Sequence, residues 1–405
     1  MLTGQKCKLA LHGGARVRKR PMPPRLAFGP AELSAINALF NHYRSKKADF
    51  GYQGEYERLY NEAFVRYMGV KGFSDAVNSG TSALYVAIAA LNLAPRSHVI
   101  VSPVTDPGTI NAIILNRLIP VIADSSPQSY NIGVEEFKAR ISKKVKGAVI
   151  VHIGGKPAPI DKICNTARKN GIRVVEDCSQ SHGAKLNGEK VGTFGDIAAF
   201  STMYRKAHAT GGCGGVIFTR NKEYYNMIRA YADRGKPFFK PGFTEKDPSS
   251  FLFPALNLNI DEISCAIGIK TLEKLDIVIR KRIEFLTKLG SHISKNSKVC
   301  RLAQVSVNDS PFFQPIIIDT LKIGCSKEEF ANAVRAEGID INPDYKYVIS
   351  EWKWVKPYLA DDYMSENAIN FRKSSFNLLF NENYKERELG DVISAILKVE
   401  ESYAL

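Results

Sequence analysis

The chain has 405 residues, which is long enough for more than one packing unit. Hydrophobic residues make up 44% and charged residues 24%, which is typical of a globular protein. No apolar run approaches the ~20 residues that a membrane-spanning helix needs, and the first residues lack the apolar stretch of a secretory signal, so we expect a cytoplasmic protein without membrane insertion. The net charge of +15 is spread along the chain without a nucleic-acid-binding signature, so we expect no nucleic-acid partner and favour anionic small molecules.

The N-terminal part of the chain predicts an extended segment followed by two amphipathic helices. Residues 1–30 are rich in proline and positive charge, which predicts an arm that is ordered only by packing on another surface. Apolar residues recur at helical spacing over residues 31–43 and 55–68, and each range is therefore predicted as a helix.

Short apolar strands then alternate with helices as far as residue 219. The predicted strands cover residues 73–77, 99–104, 119–123, 147–152, 172–175, 197–200 and 216–219, and the predicted helices cover residues 82–93, 110–117, 134–141 and 159–169. This order predicts parallel βαβ units, with helices on both faces of a mostly parallel sheet. Functional residues of such a sheet lie at the carboxyl ends of its strands, where Asp106, His152, Asp177 and Ser201 fall.

The helix over residues 82–93 begins at a sequence that is suited to binding phosphate. Asn78 and Ser79 are good helix caps, and the free N–H groups at a helix start attract anions. As a bare motif, however, Ser79-Gly80-Thr81 is more often only a cap, so it carries little weight alone.

The stretch from residue 174 to residue 215 carries the strongest chemical signal. A strand ends there in Asp177, whose carboxylate can pair with a cationic ring nitrogen. Lys206 follows five residues after Ser201, and glycines at 211, 212, 214 and 215 allow the backbone a close approach or a turn. Taken singly, such an aspartate is more often a cap and such a lysine is usually solvated. Together, an acid, a lysine and a Gly-rich turn suit a Schiff-base lysine working with pyridoxal 5′-phosphate (PLP).

The remainder of the chain predicts a second, smaller domain. A helix over residues 224–231 and a long loop over 236–253 precede a helix over 261–289, after which shorter elements alternate. We therefore divide the chain into an N-terminal arm (1–30), a large PLP-binding α/β domain (31–260), a linking helix (261–290) and a small C-terminal α+β domain (291–405). The seven cysteines form no C-x-x-C pair, so we expect neither a disulfide framework nor a metal site.

Several motifs of the central stretch resemble those of a known family. They are E-D-x-x-Q-x-H-G-A at residues 176–184, G-D at 195–196, F-S-x-x-x-x-K at 200–206, and the Gly-rich turn that follows. With these motifs the chain resembles the DegT/DnrJ/EryC1/StrS sugar aminotransferases over nearly its whole length. The resemblance implies the PLP-dependent transferase fold of type I, an α/β fold with a mostly parallel central sheet, helices on both faces and a smaller C-terminal α+β domain.

The resemblance also implies roles for individual residues. Lys206 would form the Schiff base with PLP and then move protons, and Asp177 would face the ring nitrogen. Gln180 would reach the ring hydroxyl. The remaining cofactor-binding residues would hold the phosphate, with the last of them coming from a second subunit: Gly80, Thr81, Ser201 and Asn257. A homodimer with shared active sites is therefore implied.

The chain departs from the family pattern at three positions. The family carries an aromatic residue near Asp106, an arginine at the position of Asn259 and commonly an acid at that of Cys213. We consider Asp106, His182 and His208 as candidates for substrate contact. For His182, the alternative is a histidine satisfied within the core.

The resemblance implies a PLP-dependent transaminase that moves the amino group of L-glutamate to a keto- or aldehyde-sugar. The acceptor would be a nucleotide-linked deoxysugar, or a sugar acid such as an oxidised 3-deoxy-octulosonate that yields the 8-amino sugar, in surface polysaccharide or lipopolysaccharide biosynthesis. One alternative is a PLP-dependent sugar dehydratase, in which a histidine replaces the lysine; Lys206 keeps the lysine register, and His208 lies two residues away. The other alternative is a non-catalytic PLP-fold regulator, for which no DNA-binding segment is evident.

Overall fold

The computed structural model describes residues 8–405. Its α-helices are α1 (Pro30–Ser45), α2 (Glu55–Met68), α3 (Gly80–Ala90), α4 (Pro107–Leu115), α5 (Val134–Ala139), α6 (Ile160–Lys169), α7 (Lys222–Ala232), α8 (Glu262–Glu273), α9 (Leu275–Asn296), α10 (Lys327–Ala336), α11 (Glu366–Lys373) and α12 (Glu386–Tyr403). Its strands are β1 (Phe73–Val77), β2 (His98–Val101), β3 (Ile119–Ile122), β4 (Val145–Val151), β5 (Arg173–Asp177), β6 (Lys185–Leu186), β7 (Glu189–Lys190), β8 (Ile197–Ser201), β9 (Gly215–Thr219), β10 (Cys300–Leu302), β11 (Gln314–Ile318), β12 (Ile341–Asn342) and β13 (Ser375–Leu378). Single 3-10 turns occupy Ala10–His12, Ile153–Gly155, Pro248–Ser250, Thr320–Lys322, Ile349–Glu351 and Lys356–Tyr358.

A seven-stranded sheet in the order β1-β9-β8-β5-β4-β2-β3 forms the centre of the fold. Strands β2, β3, β4, β5 and β8 run parallel, as predicted. Helices α4, α5 and α6 connect the first four of them, and a segment with the hairpin β6-β7 leads from β5 to β8. Strand β9 is antiparallel to both β8 and β1. The loop between β8 and β9 contains no crossover helix, so the chain turns back and pairs directly with the strand it has just left. The prediction of a mostly parallel α/β fold is confirmed.

Helices bury both faces of this sheet, which explains why its strands are apolar without alternation. On one face α3 is buried almost all round, since Leu84, Val86 and Ile88 lie in a core shared with α4 and α7. On the other face Phe137 and Ile163 of α5 and α6 pack against β4 and β5. Tyr60 and Phe64 of α2 form a further core with β8 and α8.

A second core surrounds the antiparallel sheet β10-β11-β13-β12. Buried side chains of α9, α10 and α12 cover it, and Leu9 and Met22 of the arm join them. Arg18 of the arm also pairs with Glu388 at 3.1 Å, and the Ala10 N–H donates to Glu337 Oε1 at 2.8 Å. The described part of the arm is therefore ordered by packing on C-terminal elements, whereas the first seven of its predicted residues lie outside the described chain.

The helix predicted over residues 261–289 is wrong as a single element, because it breaks at Lys274 into α8 and α9. Helix α8 packs against α1 and α2, whereas Phe285 and Leu289 of α9 belong to the second core. The two helices therefore pack against different parts of the protein. The domain boundaries stay a prediction. None of the helices within residues 8–405 combines the length and apolar character that crossing a bilayer requires.

Candidate active site

A cavity of about 200 Å³ opens at the carboxyl ends of β5 and β8. Seven of the residues singled out from the sequence line it: Gly80, Thr81, Asp106, Asp177, Gln180, Ser201 and Lys206. They come from the starts of α3 and α4, from two strand ends and from the segment between β8 and β9. The strand-end rule therefore brings together residues that are up to 126 positions apart, from Gly80 to Lys206.

Asp177 ends β5 and is only 2% exposed. Its Oδ2 accepts a hydrogen bond from Thr109 Oγ1 at 2.7 Å, and its Oδ1 accepts one from the Ser179 N–H at 3.0 Å. Thr105 Oγ1 lies 2.6 Å from Thr109 Oγ1 and supports it from behind. Each carboxylate oxygen keeps a second lone pair, so the fixed carboxylate can still accept a proton donor from the cavity.

Lys206 lies on the segment from residue 202 to residue 214, which we call the lysine loop. The two ends of the loop are held together by hydrogen bonds of Thr202, and we call this point the neck of the loop. The Thr202 N–H donates to Gly214 O at 2.8 Å, and the Thr202 carbonyl accepts from the Thr210 N–H at 2.9 Å. Gly214 has a φ of +151°, and a Cβ there would overlap the Thr202 and Thr210 hydroxyls. A glycine is therefore required at the neck of the loop.

Replacing Gly214 with alanine is expected to lower the free energy of unfolding by roughly 2 kcal/mol and to loosen the cofactor. Urea unfolding and the cofactor retained after dialysis measure the two effects. Gly212→Ala is the matched control, because an added Cβ there meets no atom within 4 Å. Equal behaviour of the two variants would contradict the assignment of Gly214 to the neck.

Lys206 is 8% exposed, and burial lowers the pKa of its amine to about 8, although the negative charges of Asp177 and Asp106 act to raise it. Its Nζ lies 4.4 Å from the centre of the Phe312 ring. Phe312 lies in a turn, and its backbone N–H donates a hydrogen bond to Gly154 O at 3.0 Å. A lysine with this pKa supplies neutral amine, the nucleophilic and basic form, at mildly alkaline pH.

The lowered pKa of Lys206 predicts how the stability of the protein depends on pH. The folded protein binds fewer protons than the unfolded chain between pH 8 and the model value of 10.5, so the penalty is complete below pH 8 and disappears as pH rises through 10.5. Lys206→Met is therefore expected to stabilise the cofactor-free protein by roughly 1–3 kcal/mol at pH 7 and by less at pH 10. Urea unfolding at both values measures this, with the exposed Lys143→Met as control. An unchanged difference between the two pH values would contradict it.

Arg25 of the arm holds the lysine loop from outside. Its guanidinium donates to the carbonyl oxygens of Tyr204, Lys206 and Ala207 at 3.1, 2.5 and 2.8 Å. It also pairs with Glu382 at 2.8 Å. Glu382 in turn pairs with Arg282, which donates to Pro311 O at 3.0 Å beside Phe312. The arm, helix α9 and the segment after β13 thus fix the lysine backbone together. No motif in the sequence pointed to this arginine.

Arg25→Met is expected to lower kcat by roughly 10- to 100-fold, because the lysine backbone loses three hydrogen bonds and its amine moves from the productive position. Steady-state kinetics compared with Arg20→Met, an exposed arginine of the same arm, measure the effect. An equal, small change in both variants would show that the arm does not hold the loop.

The start of α3 and the end of β8 form the anion-binding end of the cavity. Ser79 caps the helix by accepting from the Ser82 N–H at 3.0 Å, and the first-turn N–H groups of Gly80 and Thr81 have no acceptor within the helix. A Cβ on Gly80 would overlap the Cβ of Ser201, so glycine lets the helix start lie against that hydroxyl. Two backbone donors and a hydroxyl at a helix N-terminus suit a phosphate.

Gln180 and Asp106 complete the cavity wall. The Gln180 Oε1 accepts from the Gly154 N–H at 2.8 Å, which leaves its amide N–H groups as donors. Asp106 caps α4, with Oδ1 accepting from the Gly108 N–H at 2.9 Å. Asp106 is thus both a helix cap and a negative charge beside Lys206.

Glu176, the first residue of the E-D motif, has a different task. Its carboxylate accepts from the backbone N–H groups of Gly192, Phe194 and Gly195 at 2.7 to 2.8 Å and lies 3.1 Å from His152 Nε2. It is fully buried and ties the turn before β8 to β5. We assign Glu176 a structural role.

The expectation that His182 and His208 contact substrate is corrected. His208 Nε2 lies 2.6 Å from the Tyr60 hydroxyl and its Nδ1 lies 3.0 Å from Thr271 Oγ1, in the core behind the cavity. Burial lowers the pKa of His208 to about 3, so it is a neutral core residue. His182 is 2% exposed and packs against Phe200 and His208, and burial lowers its pKa well below the usual value. Neither histidine lines the cavity.

Asn257 lies on the surface, outside this cavity. Its expected contact is with the cofactor phosphate of a second subunit, and that contact stays a prediction.

This mixed sheet, with a lysine loop joining two adjacent strands and an acid at the neighbouring strand end, is the architecture of PLP-dependent enzymes of fold type I. Comparisons with known proteins agree. The model of the DegT/DnrJ/EryC1/StrS aminotransferase family matches residues 38–397. The chain therefore belongs to this family, and it is a PLP-dependent aminotransferase.

Individual relatives share modest identity. The chain is 30% identical over 246 residues to GDP-perosamine synthase of Caulobacter vibrioides, covering 58% of this chain and 63% of that one. It is 28% identical over 355 residues to UDP-4-amino-4,6-dideoxy-N-acetyl-beta-L-altrosamine transaminase of Campylobacter jejuni, covering 85% and 90%. In fold it is similar to the Escherichia coli GDP-4-keto-6-deoxy-D-mannose-3-dehydratase with bound hydrated PLP, with a TM-score of 0.82, 24% identity and coverage of 93% and 100%.

The donor set of the cavity fits PLP. Because Gly80 lies directly against Ser201, backbone N–H groups and a hydroxyl come together as donors for a phosphate. The buried Asp177 carboxylate suits a protonated ring nitrogen. The Lys206 amine lies within electrostatic reach of that carboxylate and lines the same cavity.

Proposed function

We propose that this enzyme transfers the amino group of L-glutamate to a carbonyl carbon of a sugar, with Lys206 and Asp177 as its catalytic residues. The observation that carries the proposal is the shared cavity of these two side chains, in which a buried lysine with a pKa of about 8 lies within the field of a buried carboxylate. Neutral amine and fixed anion are the two groups that amino transfer requires from the protein.

Each residue of the cavity has a defined task in this proposal. When bound, PLP supplies an electron sink for the electrons released at Cα of the amino donor. Asp177 would accept a hydrogen bond from the ring N–H and stabilise positive charge there. Lys206 Nζ would take the proton from Cα of the amino donor, hold it as an ammonium group and return it later in the transfer. Gln180 would donate to the ring hydroxyl.

The phosphate would be held from two subunits. Gly80 and Thr81 donate backbone N–H groups, Ser201 donates its hydroxyl, and Asn257 of a second copy of this chain donates its amide. This arrangement requires a homodimer, because one chain does not bring its own Asn257 to its own cavity.

The acceptor in this proposal is a nucleotide-linked keto-deoxysugar used for a surface polysaccharide. Support comes from the names of the two relatives, which concern GDP- and UDP-linked amino sugars. The net charge of +15 is favourable for any anionic acceptor, including a free sugar acid that carries an aldehyde, such as an oxidised 3-deoxy-octulosonate.

The dehydratase alternative has less support. The solved dehydratase shares the fold, but at 24% identity the likeness extends to the fold alone. In this chain His208, the histidine nearest in sequence to Lys206, has both ring nitrogens engaged by Tyr60 and Thr271 outside the cavity.

The test is turnover of the purified enzyme, loaded with PLP, with L-glutamate and each class of acceptor in turn. We expect 2-oxoglutarate to form in step with amination of a nucleotide-linked keto-sugar. Amination of only the free sugar-acid aldehyde would redirect the proposal to that acceptor. Loss of a hydroxyl group from the sugar with release of ammonia would support the dehydratase. An absorbance spectrum that glutamate does not change would support the regulator.

A further inference from the structure

A row of side-chain amides connects the interior of the protein to Asn257. Gln53 Nε2 donates to Asp233 Oδ2 and to Asn259 Oδ1, both at 3.0 Å. Asn259 Nδ2 donates to Asn257 Oδ1 at 2.7 Å, and the Asn259 backbone N–H contacts the same oxygen at 3.3 Å. We call Gln53, Asn259 and Asn257 the amide relay.

Asp233 fixes the direction of the relay. It is fully buried, and its carboxylate pairs with Arg234 at 2.6 Å and Lys236 at 2.8 Å. Burial opposes its ionisation, but the hydrogen bonds from these two cations outweigh that effect and lower the pKa of Asp233. An ionised carboxylate only accepts hydrogen bonds, so the Gln53 amide must turn its N–H groups inward.

The orientation of every following amide is then determined. Asn259 turns its oxygen to Gln53 and its N–H groups to Asn257. Asn257 turns its oxygen to Asn259, so only the N–H groups of its amide remain for a neighbouring molecule. An amide that presents donors alone is suited to an anion.

Backbone hydrogen bonds fix the position of the relay segment, residues 257–259, within its own chain. The Asn78 N–H donates to Leu258 O at 2.9 Å, and Asn259 pairs with Val77 at the end of β1. On the other side Asn257 pairs with Asp233. The segment therefore lies between the start of the cavity helix α3 and the buried ion pairs.

We propose that Asn259 and Gln53 are positioning residues, which orient the Asn257 amide as a hydrogen-bond donor to the phosphate held by a second copy of this chain. This inference rests on the proposed function, because it requires the shared site. It also accounts for the departure at position 259, where an amide suits the relay better than the cation that the family carries.

The test compares affinity for PLP with affinity for pyridoxal, which lacks the phosphate, by titrating cofactor-free full-length protein. Asn257→Ala is expected to weaken PLP binding roughly 10- to 100-fold and to leave pyridoxal binding unchanged. Asn259→Asp keeps the shape, but its carboxylate can only accept from the Asn257 amide, so we expect that amide to turn its oxygen outward against the longer contact of 3.3 Å from the Asn259 backbone N–H. The loss of PLP affinity is then expected to be at least as large. Gln53→Met is expected to give a smaller loss of the same kind.

The double variant Asn257→Ala with Asn259→Asp separates orientation from charge. If Asn259 acts through Asn257, the double variant binds PLP no more weakly than Asn257→Ala alone. Additive losses would show that the new carboxylate acts directly and would overturn the inference. Asn308→Asp, at an exposed position elsewhere, is the matched control for an added charge.

The outcomes separate this inference from the function on which it rests. An unchanged ratio of PLP to pyridoxal affinity in Asn257→Ala would refute the shared site. A changed ratio in Asn257→Ala with unchanged ratios in Asn259→Asp and Gln53→Met would overturn the relay alone. An equal loss for both ligands in the Asn259 variant would mean a general structural role and would also overturn it.

Discussion

Lys206→Ala is expected to reduce kcat by roughly 10⁴-fold or more, since the variant lacks both the nucleophile and the proton carrier of the cavity. The measurement is single-turnover conversion of enzyme-bound cofactor by L-glutamate, together with 2-oxoglutarate production. Cofactor binding itself is expected to persist in part, because the phosphate end of the cavity is formed by α3 and Ser201 and does not involve the lysine side chain.

Two further variants make this result specific. Lys206→Arg keeps a positive charge but cannot lose its proton near neutral pH, so it is expected to be as inactive as the alanine variant. The exposed Lys143→Ala is expected to retain full activity. Turnover in Lys206→Ala comparable to that of the wild type would refute the assignment of the catalytic lysine.

Asp177→Asn is expected to lower kcat by roughly 10²- to 10⁴-fold, because a neutral amide cannot stabilise the positive charge of the ring nitrogen. The substitution also leaves one oxygen in place of the two that accept from the Thr109 hydroxyl and the Ser179 N–H. Because the Asp177 charge raises the pKa of Lys206, its loss is expected to move that pKa below about 8 in the cofactor-free protein.

Steady-state kinetics and the pH dependence of Lys206 reactivity measure these two effects. Asp161→Asn, a substitution on the surface of α6, is the control for loss of a carboxylate. If Asp177→Asn behaved like this control in both measurements, the role of the strand-end acid would be wrong.

Local sequence predicted the elements whose signals are local. Helix α2 and strand β1 have the predicted bounds, because apolar spacing and flanking glycines define them within a few residues. The direction of β9, the break at Lys274 and strand β10 were not predicted. They depend on which distant surface each segment meets, and a single sequence carries no record of that contact.

The residues of the cavity were predictable where they lie at or near the carboxyl ends of strands. Asp177 and Lys206 were identified from their position and motif. Arg25 and Phe312 also contact Lys206, but they lie more than 100 positions from it in the sequence. Conversely, His182 was considered because it belongs to the motif at residues 176–184, and His208 because it lies two residues from Lys206, but both rings pack in the core. Polarity of a residue does not reveal which way its side chain points.

The arm that holds the lysine loop has a consequence for biosynthesis. Arg25 is synthesised 357 residues before its partner Glu382, and Arg18 is synthesised 370 residues before its partner Glu388. During translation, the ion pairs that hold the arm against the C-terminal elements therefore cannot form until both acids have been made. We expect the lysine loop to gain its full support from the arm only after that point.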